Sequence, residues 1–292
     1  MEWNLNRIND YLFKWVFGRP ENKEILLSFL NSVLSPNGQD ELADIALAER
    51  ELDPEHIHDK LSRLDILGKG NDGSIINIEV QIANQYDIDK RTLYYWAKLY
   101  QGQLQKGQRY KDLSRTITVN VLNFEFLPDS QRYHSMFSLY EVHSGHRLNR
   151  DLEIHFLELS KWKALSVKPK TRLDKWLMYL SNTNPQEMEE IAMSEPAIRK
   201  ALTAEEIFLK QDKERYLYEM REKALLDHVS AIEGAKEEGV AEGIAKGIAK
   251  GIAEGKAQAN HEIALKLLEM KLPLSDIVKA TGLTEEEIRK LH

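Results

Sequence analysis

Between Asn77 and Gln81 polar and apolar side chains alternate strictly, in the run Asn77-Ile78-Glu79-Val80-Gln81. Side chains alternate across a strand, so an extended segment here puts Glu79 and Gln81 on one face and Ile78, Val80 and Ile82 on the other. A second short run, Leu64-Asp65-Ile66, precedes it across Gly68-Lys69-Gly70-Asn71-Asp72-Gly73, a stretch dense in turn residues. The pair predicts a hairpin that brings Asp65 beside Glu79. Two carboxylates and one amide then converge on one face, which suits a divalent metal.

Around this hairpin the periodicity changes several times. Tyr11-Leu12, Trp15-Val16, Ile25-Leu26-Leu27 and Leu30 recur at helical spacing over residues 9–34, broken near Phe17-Gly18-Arg19-Pro20, so two helices are expected. Strands are expected over 44–52, 63–68, 75–82 and 116–126. In the last of these, Thr116-Ile117-Thr118-Val119-Asn120-Val121-Leu122 is nearly continuous enough in apolar content to be buried on both faces. A helix over about 87–105 separates the final two, and further strands are expected over 137–143 and 153–159.

The words Asn9-Asp10-Tyr11-Leu12-Phe13-Lys14 with Phe17-Gly18, Asp59-Lys60 before Leu64-Asp65, and Glu79-Val80-Gln81 follow one another in a specific order. Lys90-Arg91-Thr92-Leu93-Tyr94-Tyr95, Lys98-Leu99-Tyr100, Gln103-Leu104, Gly107 and Tyr110 continue it. Together they resemble the recombination-promoting nuclease and transposase branch of the PD-(D/E)XK nuclease superfamily, over most of the chain. The resemblance implies an α/β fold, a restriction-endonuclease-like mixed sheet flanked by helices, with an α-helical C-terminal region. It also implies a metal-dependent DNA endonuclease of bacterial recombination or mobile-element biology. Asp65, Glu79 and Gln81 would be the catalytic residues, and Mg2+ or another divalent cation would bind Asp65, Glu79 and the backbone carbonyl of Val80. The last position of the superfamily signature is usually lysine; Gln81 departs from that and matches this branch. Glutamine brings no positive charge, though its amide can orient a water, so Lys90, Arg91 or Lys98 is expected to restore the charge. The resemblance also places an acid on the first helix near the site, which makes Asp10 a candidate, although Asp10 could equally cap that helix.

Without the family words, an Asp and a Glu-x-Gln on neighbouring strands would more often be a polar sheet face than a catalytic site. His56 and His58 could bind a metal, but nine scattered histidines with no HxxxH pair read better as exposed side chains. No G-x-S-x-G, Walker or dinucleotide motif is present. With no cysteine there is neither a disulfide framework nor a thiolate metal site, and a cytoplasmic setting is expected. The N-terminus has no signal-like pattern, and no apolar run approaches the roughly 18 residues of a membrane span.

A net charge of −7 excludes a generally basic coat, yet a nuclease needs only a local basic surface. Lys90, Arg91, Lys98, Lys106, Arg109, Lys111 and Arg115 are opposed only by Asp112 within 90–115. This stretch, with Tyr95 and Gln103, is the expected DNA-binding surface. Its bland alternative is a solvated helix face, with Tyr94, Tyr95, Trp96 and Tyr100 either stacking on bases or packing inward.

Four regions are expected: a nuclease-like core over 1–168, a helical subdomain over 169–228, a glycine-repeat segment over 229–258 and a helix-turn-helix-like segment over 259–292. In the repeat, Gly239, Gly243, Gly247, Gly251 and Gly255 recur every fourth residue. Each helical glycine costs about 1 kcal/mol relative to alanine, so the segment is either a self-associating helix that joins copies of the chain or a solvated linker. At the C-terminus Ser275 and Thr284 are candidate N-caps, the latter with Glu287 in a capping box. Glu285-Glu286-Glu287 would repel DNA phosphates at the start of the last helix, which favours packing or protein contact there. The alternative to an enzyme is a degenerate nuclease core that binds DNA while the repeat assembles oligomers.

Overall fold

The computed structural model describes residues 5–48, 65–84, 87–165, 168–181 and 185–291. Asp59-Lys60, His56, His58, Leu64 and residues 49–52 of the first expected strand lie outside the described residues. The chain opens with α1 (Asp10–Phe17) and α2 (Lys23–Leu34), followed by β1 (Ile45–Leu47), β2 (Ile66–Gly70), β3 (Ile75–Gln81), α3 (Ile88–Gln101) and β4 (Thr116–Leu122). Next come β5 (His134–Phe137), β6 (Leu152–Glu158), α4 (Leu159–Leu165), α5 (Arg172–Leu180), α6 (Pro185–Ser194) and α7 (Pro196–Leu209). A 58-residue helix, α8 (Asp212–Glu269), precedes α9 (Leu274–Thr281) and α10 (Glu285–Arg289).

The six strands form one mixed sheet in the order β1-β2-β3-β4-β6-β5. β1, β2 and β3 pair antiparallel; β3, β4 and β6 run parallel; β5 returns antiparallel to β6. All seven residues of β4 are buried, as expected for a strand covered on both faces. Ile117, Val119 and Val121 join Ile76, Ile78 and Val80 in the main core with α1, α2, α5 and α7. Leu122 faces the other way, into a smaller cluster with Ile88, Leu152, Ile154 and Phe156 against Trp96 of α3. The sheet therefore lies between two helical layers, and the odd-numbered residues of β3 face the α3 side.

Two expected strands differ from what forms. The strand expected over 116–126 stops at Leu122, because the Phe126 and Leu127 N–H groups donate to the buried Glu158 carboxylate instead of to a ladder. The strand expected over 137–143 forms earlier, as β5. Beyond it the Glu141 carboxylate accepts from His143 and Ser144, Gly145 adopts φ 68°, and a single bridge joins Tyr140 to Arg147. That turn reverses the chain before a longer strand can extend.

The chain divides into two compact units, Met1–Leu225 and Leu226–His292. In the first, helices after Pro169 share the core of the sheet: Trp176 lies edge-on to Phe29 and Tyr179 and tilted against Phe17. Losing such a ring would cost about 3–5 kcal/mol in cavity and transfer terms. In the second, Ala264 of α8, Ile277 of α9 and Ile288 of α10 form a small core. The glycine repeat lies inside α8, and Val240, Ile244, Ile248 and Ile252 are exposed. Thr284 and Glu287 make the expected capping box, whereas Pro273 occupies the cap position of α9 and Ser275 lies within its first turn. No helix of the described residues is long and apolar enough to cross a membrane.

Candidate active site

The hairpin of β2 and β3 forms as its residues demand. Gly73 takes φ 86°, a conformation that disfavours any side chain, while Asp72 accepts from both the backbone N–H and the hydroxyl of Ser74. Gly68 admits β1: a Cβ there would stand 2.7 Å from Ile45 Cδ1. With Ile66 opposite Ile78, Asp65, just before β2, falls next to Glu79.

Asp65, Glu79 and Gln81 are all buried. The Val80 N–H donates to Asp65 Oδ2 at 2.9 Å, which ties the carboxylate across the hairpin. Asp65 Oδ1 lies 2.7 Å from Lys14 Nζ, which reaches the site from α1 and is 3.7 Å from Asp10 on the preceding turn. Asn77 Nδ2 donates to Glu79 Oε1 at 3.2 Å, while Asn77 Oδ1 is buried without a partner. Burial first, and then the Asp65 charge, push the Glu79 carboxyl up to about 8; the Asn77 hydrogen bond and the charge of Arg91 oppose this. Such a shift marks a carboxyl whose ionised form is disfavoured, first by burial and then by a neighbouring carboxylate.

Whether this suits a divalent cation follows from its donors. Among the described residues no three His, Cys, Asp or Glu side chains converge. Two buried carboxylates beside an orphaned amide oxygen are nevertheless a surplus of hard acceptors, and Mg2+ commonly uses only one or two carboxylates, completing its shell with water and phosphate oxygen. The residues present fit such an ion.

Other expected site residues divide by environment. α3 lies over this face, with the Thr92 hydroxyl donating to Asn120 of β4. Trp96 and Tyr100 stack at 4.9 Å and point inward, Trp96 donating to the Thr116 carbonyl and Tyr100 to Asp151. Tyr95 instead packs its ring against the exposed Tyr94, over which Lys98 Nζ lies 5.4 Å from the ring centre. Lys90 is exposed and pairs with Asp87 at 3.4 Å; Arg109 pairs with Asp112 at the same distance. Arg115 is held by Glu153 at 2.6 Å. Gln103 braces the start of β4, donating to the Ser114 carbonyl and Thr116 hydroxyl and accepting from the Ser114 N–H.

Asn9, rather than Asp10, caps α1 by accepting from the Tyr11 and Leu12 N–H groups. Asp10 is left facing Lys14, with Arg221 4.0 Å away. Lys14 is the site residue the sequence reading did not single out. Its i,i+4 spacing from Asp10 put both on one helix face, but only the packing of α1 against the sheet brings that face to Asp65.

A family of sequences described as PD-(D/E)XK nuclease family transposases matches residues 7–235. No curated protein and no solved structure matches significantly. The family's span takes in the whole sheet, α1 and the Asp65–Glu79 hairpin. The chain belongs to the PD-(D/E)XK nuclease family of transposases.

Proposed function

We propose that the protein is a metal-dependent DNA endonuclease that hydrolyses phosphodiester bonds, acting in the bacterial cytoplasm in recombination or mobile-element biology. The observation that carries this reading is the buried Asp65–Glu79 pair, with Asp65 locked to the Val80 N–H and the ionised form of Glu79 disfavoured by burial and by Asp65. Asp65, Glu79 and the Val80 carbonyl would hold Mg2+ or another divalent cation. When bound, the ion relieves charge on the phosphate and makes a coordinated water more acidic.

Gln81, on the face of Glu79, orients the attacking water through its amide. The water oxygen bonds to phosphorus as one sugar P–O bond breaks. The proton lost by water is matched by the one taken up at the leaving oxygen, so a phosphomonoester and a hydroxyl result. Lys90, Arg91, Tyr95, Lys98 and Arg109 would line the DNA path, with Gln103 supporting it from beneath. α8 would join copies of the chain through its glycine repeat.

Supercoiled plasmid tests the reading directly. Nicking in Mg2+, abolished by EDTA and by Asp65→Ala with folding and most DNA binding retained, is expected, because loss of one of the two carboxylate ligands empties the site. Binding without nicking in any divalent ion would leave a degenerate, DNA-binding core.

A further inference from the structure

The Asp65 and Glu79 carboxylates lie buried where a polyanion has to dock, with Asp10 further out beside Lys14, and such a site repels its substrate unless a cation is built in. Gln81 supplies none. We propose that Lys14 is the phosphate-facing cation of this site, held beside Asp65 by α1 to neutralise charge on the scissile phosphate. This rests on the endonuclease reading above.

Position and anchorage both support the assignment. α1 is fixed by its Asn9 cap and by Leu12, Phe13, Trp15, Val16 and Phe17, all buried, so the Lys14 stem leaves a rigid element. Its side chain is 19% exposed, shielded enough for its charge to act at short range yet open to an incoming phosphate. Asp10 flanks it on the preceding turn and Asp65 receives its ammonium at 2.7 Å. Asp65 Oδ1 accepts along one lone pair only, so the carboxylate can hold Lys14 and a metal ligand bond together.

Of the cations expected for this task, Lys90 pairs with Asp87 at the surface, and Lys98 lies over the Tyr94 ring. Arg91 acts on Glu79, and its effect there is smaller than that of the Asn77 hydrogen bond. It is the rival candidate.

The test compares Lys14→Met, Lys14→Arg and Arg91→Met in single-turnover cleavage at saturating DNA and metal. Mn2+ affinity is measured by calorimetry in each, and folding by circular dichroism. Lys14→Met should slow cleavage on the order of 10²–10³-fold without weakening Mn2+ binding, the size of loss seen when one donor to a developing oxyanion is removed. Lys14→Arg should retain more activity than Lys14→Met, because it keeps the charge at the same place on α1. A folded Lys14→Met that cleaves at the wild-type rate overturns the proposal, most clearly if it also binds Mn2+ more tightly, since Lys14 would then merely occupy the metal's place. A larger loss in Arg91→Met than in Lys14→Met overturns it in favour of Arg91. Absence of cleavage in the wild-type protein instead sinks the endonuclease reading itself, whatever Lys14 does.

Discussion

Glu79 is a carboxyl held where its ionised form is disfavoured, by burial and by Asp65, and this gives a signature independent of DNA. Its pKa is raised from 4.5 to about 8 in the folded chain. A carboxyl raised on folding imposes no cost below its unfolded value; the cost grows as pH rises through the interval and is complete above the folded value. In EDTA, thermal stability should therefore fall between about pH 4.5 and 8 relative to Glu79→Gln, which lacks the titration. Mg2+ should recover stability most at the alkaline end, where the ionised pair is available to bind it. Parallel stability curves for the two proteins in EDTA would show that Glu79 ionises freely. The Asp65–Glu79 pairing was legible in the sequence because strand alternation and a glycine turn determine it locally. Lys14 was not, because its contact with Asp65 depends on how α1 packs against the sheet.

At the level of elements, α3 resolves a question that its composition leaves open. Two of its aromatics, Trp96 and Tyr100, are committed inward by hydrogen bonds, while Lys90 and Tyr94 face solvent. Charge on an exposed helix can hold phosphate without reading sequence. Replacing Lys90 and Lys98 with alanine should weaken binding to all DNA sequences alike and flatten the dependence of log K on log salt by about 0.9 per lost phosphate contact. Unchanged slopes would place the DNA path off α3. Helices and central strands were readable from periodicity, and β4 most of all. The short β5 was misplaced because the Glu141 carboxylate captures backbone groups that a propensity pattern assigns to a strand, and β4 ends early because Glu158 does the same at Phe126.

For the whole molecule, the expected division near Pro169 meets a core in which Leu173, Trp176, Ile198 and Phe208 pack with the strands, so residues beyond it contribute to holding the site. The compact unit that contains Asp65 and Glu79 runs to Leu225, and the family match to residue 235. A chain ending after 235 should thus keep the hydrophobic cluster intact, unfold cooperatively and nick DNA in Mg2+ at a rate comparable to the full chain. What it should lose is self-association. The repeat glycines expose an apolar row, and a Cβ at any of them would meet nothing within 4 Å, so nothing in a single chain explains why glycine stands there. Alanine at Gly243, Gly247 and Gly251 should strengthen the helix by about 1 kcal/mol each and, if close helix approach joins the copies, lower the sedimentation mass toward that of one chain. A full chain that already sediments as a monomer, with its mass unchanged in the alanine variant, would remove assembly from the role of α8 and leave the repeat without a physical account.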